Sequence, residues 1–458
     1  MITFSPPQLV SFPSSPLGPQ MVLVVRTSSQ DHTGFATAFW KDDNVLAGNG
    51  NAWSDWQFWE LGQQPPQDWN PPADWTGFHL EAGPIPPAPA WPLVGYIDPD
   101  QVFRANGFFA IEAPAGTAVV GQPWWQIPIA DVAFDVFRND FLPRVGAAWK
   151  EGPRNRLNIF GSAALGAAPL RELWWDGAQW NWTDHDRGPN GDALGPSSLV
   201  FPKTSNAYLF GVTAGKDNVQ LLAYRPGAGW DFAGGFQGPD GTADLRAPVA
   251  LFYDDDRGTN VHAFTVGRLG NGEYHLFQTH QLFGSDWEAW VDFGTPPGEP
   301  ISVCQELPPD LGVDIRTQFL AGDPFTMTSA CVWQDDQGLH IHLFGYSDIV
   351  PQFDPRVGRG SLVHFSWKGG DWRNGHWSWE TTTRPVECLN FNTSSGPARL
   401  PTTFQTTSSA VYQGQTRDGQ ARQRVSAVGF TSPGQQGTVW EFVMDTTVDQ
   451  DFHWLQFA

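Results

Sequence analysis

The sequence predicts an all-β fold, a seven-bladed β-propeller with four antiparallel strands per blade. Three observations carry that prediction. A short motif recurs seven times along the 458 residues: an apolar run ending usually on an aromatic, then turn residues, then a second apolar run that carries Phe. Tryptophans recur in pairs further along most units, as in SDWQFWELG (54–62) and SDWEAWVDFG (285–294). Helical periodicity is missing, and the runs are β-branched and aromatic with turn signals at short intervals. A repeat of this period is the signature of stacked or radial units, and radial repetition leaves only short, protected sheet edges.

Taken in chain order, the first runs end at Val25, Tyr96, Trp149, Phe201, Tyr253, Trp333 and Tyr412. The second runs carry Phe39, Phe109, Phe160, Phe210, Phe264, Phe344 and Phe430. Polar turns such as Asp254-Asp255-Asp256-Arg257-Gly258 separate the two and predict hairpins. A third strand follows, for example LRELWW (170–175), and a fourth bears tryptophan: Trp56 and Trp59, Trp180 and Trp182, Trp287 and Trp290, Trp377 and Trp379. Large rings in these places fill the wedge between twisted blades, which accounts for most of the 24 Trp as core. Trp287 and Trp290, three apart on a regular strand, are expected on opposite faces, one packed and one partly exposed.

The blades so read span roughly 21–62, 91–135, 144–191, 196–241, 246–298, 326–383 and 402–458 of a single domain over 1–458. Successive Phe positions lie 70, 51, 50, 54, 80 and 86 residues apart, so the middle blades are compact and the outer ones carry insertions. Pro-rich segments at 63–75 and 83–92, and long stretches at 301–325 and 384–401, are long enough to be either functional loops or structural covers. Two ways of closing the ring stay open. The N-terminal run ITFSPPQLVSF joins the last blade, or the C-terminal run FHWLQFA completes it alone.

Composition sets the bounds. Apolar residues make up 40% and charged ones 16%, enough to bury a core and unlike a disordered chain. The 49 Gly and 39 Pro are spread along the chain, which reads as many turns rather than a linker. Against 48 Asp and Glu stand 26 Lys and Arg, with no basic cluster, so no nucleic-acid footprint is present and anionic lipid would be repelled. The acidity fits a neutral or cationic partner, and by itself accounts for solubility. Cys304, Cys331 and Cys388 are odd in number and form no CxxC, which argues against a disulfide framework or a cysteine metal site. No membrane span is legible, and the first residues lack the pattern of a signal peptide, so the expectation is a cytoplasmic protein or one exported without a leader. The sequons at Asn181 and Asn392 would matter only in a secreted protein.

One unit carries a further pattern. LNIFGSAALGAAPLRELWWDGAQW (157–180) holds Glu172, then Trp175-Asp176-Gly177, then Trp180. This order, E-x-x-W-[DN]-G-x-x-W, resembles the repeat of the fucose-binding β-propeller lectins and of related bacterial and fungal propeller lectins. The sixth blade repeats the frame as His364-Phe365-Ser366-Trp367-Lys368-Gly369, ending on Trp372, and the seventh keeps a fragment from Glu441 to Asp445. The resemblance implies a strand-b Arg and a strand-c Glu on the sugar hydroxyls with an aromatic on the apolar sugar face. Carried over, Glu172 matches the Glu and Trp175 and Trp180 the aromatics, while Asn158 stands where the Arg belongs. The fourth blade has Leu221 and Tyr224 at the Glu and Trp places, and the sixth has His364 at the Glu place.

The candidate ligand-binding residues are therefore Glu172, Trp175, Trp180, Asn158, His364, Trp367, Trp372 and Glu441. His340 and His342 share a strand face, with His262 aligned one blade earlier, but further metal ligands do not line up. The acidic turns lack the alternating ligand pattern of a calcium loop. No metal and no cofactor are called, and no catalytic motif such as GxSxG or HExxH occurs. The favoured reading is a carbohydrate-binding, lectin-like propeller whose partner is a glycan or another small neutral or apolar ligand held in inter-blade clefts. The alternative is a cofactor-independent biosynthetic enzyme of the cyclase or pericyclase type, with one apolar pocket at a channel mouth under the 63–92, 301–325 and 384–401 loops. Neither the sugar nor the oligomeric state follows from the sequence.

Overall fold

The structure is a computed structural model. It describes the strands and bordering turns named below, most continuously over residues 206–297 and 321–347. Five four-stranded antiparallel sheets run in chain order, each a simple meander. Sheet C comprises Leu142–Glu151, Arg154–Ser162, Arg171–Trp175 and Trp180–Asp184. Sheet D comprises Leu194–Lys203, Asn206–Thr213, Val219–Arg225 and Gly229–Phe232. Sheet E comprises Val249–Asp255, Gly258–Arg268, Tyr274–Leu282 and Val291–Asp292. Sheet F comprises Phe325–Asp335, Gly338–Ser347, Leu362–Lys368 and His376–Glu380. Sheet G comprises Thr403–Gln415, Ala421–Ser432, Val439–Asp445 and Phe452–Gln456.

Two sheets precede these. Sheet A orders Thr3–Phe4, Gln20–Ser28, Thr33–Trp40 and Gln57–Glu60, with Gln8–Phe12 also paired to Gln20–Ser28. Sheet B pairs Val102–Ala110 with Leu93–Ile97, Trp124–Gln126 and Val132–Asp135. Two hairpin-like pairs stand apart: Glu299–Pro300 with Gln318–Phe319, and Cys388–Thr393 with Gly396–Pro401. The 63–92 segment and most of 301–325 lie outside the described residues.

The first strands of successive sheets from B to G touch in order, and Gln8–Phe12 touches the first strand of sheet G. That is the arrangement of a β-propeller, with the first strands innermost. Side chains tie neighbouring first strands together. Ser198 Oγ accepts from Ala250 N at 3.1 Å, and Ser408 Oγ donates to Leu9 O at 3.1 Å. The C-terminal run Phe452–Gln456 completes sheet G without the N-terminal run, and Gln8–Phe12 instead pairs within sheet A and packs on the first strand of G. The run ending at Val25, expected as a first strand, is therefore a second strand, because Gln8–Phe12 occupies the inner position.

A bulge explains the repeated Phe-Gly. In sheets C, D, F and G the first strand gains one residue opposite the second-strand pairs Phe160-Gly161, Phe210-Gly211, Phe344-Gly345 and Val428-Gly429. The extra residues Ser197, Thr328 and Thr407 donate to the carbonyls of Phe210, Phe344 and Val428 at 3.4, 3.2 and 3.4 Å. The bulged strand presses so close that a Cβ on Gly345 would run into the carbonyl oxygen of Thr326. In sheet G the bulge aligns Val428, not Phe430, with the Phe of the other sheets.

The core lies between sheets. Phe160, Phe210, Phe264 and Phe344 are fully buried, each facing the following sheet. An aromatic from the fourth-strand region of that next sheet meets each of them edge-on. Trp230 lies 4.9 Å from Phe160, Trp287 5.7 Å from Phe210, and Trp377 5.5 Å from Phe264. On Phe344 the corresponding ring is Phe452, at 6.1 Å. Trp287 and Trp290 both pack toward Phe236, at 4.9 and 6.0 Å, because the segment carrying them is not a regular strand and so does not alternate.

Candidate functional site

The smaller Phe452 marks where a cleft opens. Between sheets F and G lies a cavity of about 940 Å³ at the end of the sheets where the first two strands of F turn at Asp336 and Gln337. Alternation sets its wall. On the second strand of F, Leu339, Ile341 and Leu343 pack toward sheet E, so His340, His342 and Phe344 face sheet G. On the third strand, Val363, Phe365 and Trp367 likewise face E, leaving His364 and Ser366 on the cleft side. Sheet G contributes Phe442, Met444, Phe452 and Trp454.

The floor is aromatic with a buried polar pair. His342 Nδ1 lies 2.7 Å from His364 Nε2, so one ring donates and the other accepts. His364 also stacks on Phe344 at 4.6 Å and meets Phe452 edge-on at 5.0 Å. Burial and the nearby charge of Lys368 push the His364 imidazolium down to about 3. Burial, then the charges of His364, His340 and Lys368, hold His342 well below the ordinary histidine range. Trp333 stacks parallel to both His340 and His342, with centroids 4.8 Å away in each case.

The walls are polar. Glu380 accepts from Ser366 at 2.6 Å and Ser378 at 2.7 Å, and pairs with Lys368 at 2.8 Å. Burial pushes the Glu380 carboxyl up, but the bonds from Lys368, Ser366 and Ser378 outweigh it and leave it below the ordinary carboxylate value. Asp335 accepts from Gln337 N at 2.9 Å and faces His340 at 3.0 Å. Such a site offers flat apolar rings for the C–H face of a small molecule and charged groups in fixed directions for its hydroxyls.

The other sequence-predicted residues lie elsewhere. Asn158 Nδ2 donates to Glu172, whose second oxygen lies 2.9 Å from His185 Nε2, and both Asn158 and Glu172 are buried. Arg171 pairs with Asp184 at 2.6 Å. Trp175 and Trp180 meet at 5.7 Å, but Glu172 and Trp175 are three positions apart on a regular strand, so these rings and Glu172 take opposite faces. Trp367 is buried toward sheet E, and Trp372 lies outside the described residues. Glu441 is sealed between sheets G and A. Arg424 Nη2 donates to both its oxygens at 2.8 Å, with Ser426 at 2.5 Å and Trp53 Nε1 at 2.9 Å.

Sequence reading missed that arginine and glutamate pair, and missed Trp333, Glu380, Phe452 and Trp454 as a set. The signal for Arg424 was its alternation with Ser426 and Val428 on the second strand. Among the described residues no group of three or more His, Cys, Asp or Glu is placed to hold a metal ion. Among them, too, no helix is long and apolar enough to cross a membrane.

No family model matches the chain, and no curated protein matches it. Solved structures do. An arginine-to-alanine triple mutant of AofleA from Arthrobotrys oligospora is similar at 11% identity over 100% of this chain and 90% of that one, with a TM-score of 0.39. The fungal lectin of Aleuria aurantia, a six-bladed β-propeller with a novel fucose recognition mode, is 14% identical over 70% of this chain and 96% of its own, at a TM-score of 0.28. A Penicillium chrysogenum α-L-arabinanase complexed with arabinobiose is 14% identical over 68% and 94%, at 0.32.

Proposed function

We propose that the chain is a single propeller domain over 1–458 whose sheets A to G are seven blades, and that it binds carbohydrate without transforming it. The observation that carries this reading is the cleft between sheets F and G, with its aromatic floor and directed polar walls. A pyranose unit presents what such a cleft accepts: one face of C–H groups and a rim of hydroxyls. Trp333, His340, Glu380, Phe452 and Trp454 are assigned to the ligand, with His364 and His342 as the floor beneath it. The buried Asn158–Glu172 pair and the Trp175–Trp180 pair of sheet C are a second candidate site, and would require a side-chain rearrangement to reach a sugar.

A glycan array on the whole chain tests the reading. Phe452→Trp restores the ring that the other described sheets place here and fills the cleft, so it should abolish binding while leaving thermal unfolding unchanged. Binding to no glycan by the native chain overturns the proposal. Loss of binding in Glu172→Ala, with Phe452→Trp still active, moves the site to sheet C.

A further inference from the structure

We infer that the F–G cleft reads two neighbouring free hydroxyls of a neutral sugar, one on Glu380 Oε2 and one on the His342–His364 pair; this rests on the carbohydrate reading of the same cleft. The carboxylate is the first argument. Its Oε1 takes all three donors that the protein supplies: Ser366 Oγ at 2.6 Å, Ser378 Oγ at 2.7 Å and Lys368 Nζ at 2.8 Å. Its Oε2 takes none among the described residues, and the side chain is a quarter exposed in the cleft wall. Three bonds to one oxygen fix the direction of the other. Burial pushes the carboxyl up, but these bonds outweigh it and keep the group ionised, so it can only accept. It asks the ligand for a proton donor and has nothing to offer an ether, an ester or a second carboxylate. Blade packing does not account for the arrangement. In sheets C, D, E and G the place of Glu380 is held by Thr183, Ala233, Val291 and Leu455, and that of Ser366 by Trp174, Ala223, His280 and Val443.

The imidazole pair supplies the second argument. Ser366 is the cross-strand partner of both His342 and Ser378, so the carboxylate it holds lies beside that pair. The His342–His364 bond uses one nitrogen of each ring. The second nitrogen of each has no partner among the described residues and is not cut off from the cleft that both rings line. Whichever ring donates the shared proton, one open nitrogen then carries N–H and the other a lone pair. Burial above all keeps both rings neutral. A hydroxyl donates and accepts at once, so it suits either tautomer, whereas an ammonium group can only donate and a carboxylate can only accept. Two adjacent hydroxyls complete the site: one donates to Glu380 Oε2 and the other bonds the pair. A neutral sugar with an unsubstituted vicinal diol presents them, and its C–H face suits the rings of Phe442 and Phe452.

Inhibition of the whole chain's array binding tests this. The inhibitors are the methyl glycosides of D-glucose, D-mannose, D-galactose, D-xylose and L-fucose, then the monodeoxy and mono-O-methyl forms of the strongest. Removing or methylating the hydroxyl on Glu380 should cost at least about tenfold, and its neighbour on the adjacent carbon about fivefold. Glu380→Gln should weaken the parent glycoside by about tenfold yet leave the form lacking that hydroxyl unchanged. Ser366→Ala should weaken the parent in the native background and add nothing in Glu380→Gln, whereas a merely structural role would weaken both. Thermal unfolding checks each variant, and the deoxy series decides without any variant. Equal inhibition by all monodeoxy forms, sensitivity confined to non-adjacent hydroxyls, or equal loss of parent and deoxy form in Glu380→Gln overturns the inference while the carbohydrate reading stands. Array binding confined to charged glycans, or no inhibition by any of these glycosides, does the same. Failure of every glycan on the array removes the underlying reading.

Discussion

Acid should loosen the interface between sheets F and G, and the size of the effect follows from one histidine pair. In the folded chain His342 and His364 share a hydrogen bond at 2.7 Å among Trp333, Phe344 and Phe452, which leaves no room for a second proton without breaking it. Burial and Lys368 lower His364 from the ordinary 6.5 to about 3. The unfolded chain takes up this proton below about pH 6.5 and the folded chain does not, so stability is full above that pH and falls as pH drops toward 3. At about 1.4 kcal/mol for each tenfold change in acidity, the loss is about 2 kcal/mol between pH 7 and pH 5 and about 4 kcal/mol by pH 3. His342, displaced in the same direction, adds to it. Sheet D supplies the control, since Tyr208 and Leu221 occupy the equivalent places beside Phe210. Urea unfolding at pH 7 and pH 5 should show the double variant His342→Tyr/His364→Leu losing at least about 2 kcal/mol less than the native chain over that interval. Equal losses in the two proteins would refute the reasoning.

Two further perturbations test the frame. Glu441→Gln leaves the buried Arg424 guanidinium with only Asp445, 3.4 Å away and already shared with Arg422, as a counter-charge, and breaking a buried pair costs up to about 3–5 kcal/mol. Hydrogen exchange should show sheets A and G opening first in that variant; unchanged protection there would mean the pair does not hold those two sheets together. Gly345→Ala places a methyl group against the Thr326 carbonyl, whereas Gly270→Ala meets nothing within 4 Å. Thermal denaturation should separate the two by at least about 2 kcal/mol, and equal melting would show that the bulge yields.

The strands were legible because they obey a local rule. Tyr253, Trp333 and Tyr412 lie near the ends of first strands, and Phe160, Phe210, Phe264 and Phe344 are buried on second strands, as alternation and turn signals require. The bulges were not legible, because a single extra residue leaves composition untouched while moving the register by one. That is why Phe430 looked like the repeat residue when Val428 holds its place. The cleft was illegible for another reason. Trp333 and His364 belong to one sheet and Phe452 and Trp454 to the next, so no run of sequence contains the site. The Glu172-to-Trp180 pattern failed in the opposite way. Its residues are close in sequence, but their odd spacing divides them between the two faces of a strand.

What varies from sheet to sheet then says where specificity resides. Beside the conserved place of Phe160, Phe210, Phe264, Phe344 and Val428, the second and third strands bring together Asn158 with Glu172, Tyr208 with Leu221, His262 with Gln278, His342 with His364, and Ser426 with Glu441. The backbone accepts apolar, neutral and ionised pairs alike at this point, so the pair alone does not make a site. The cover supplied by the next sheet decides access. Trp230 and Trp377 close over Phe160 and Phe264, and Trp53 locks Glu441. Only Phe452, a smaller ring in the same role, leaves its pair beneath an open cleft among these described covers. Changing one covering aromatic is therefore a shorter route to gaining or losing a site than rebuilding the polar pair below it.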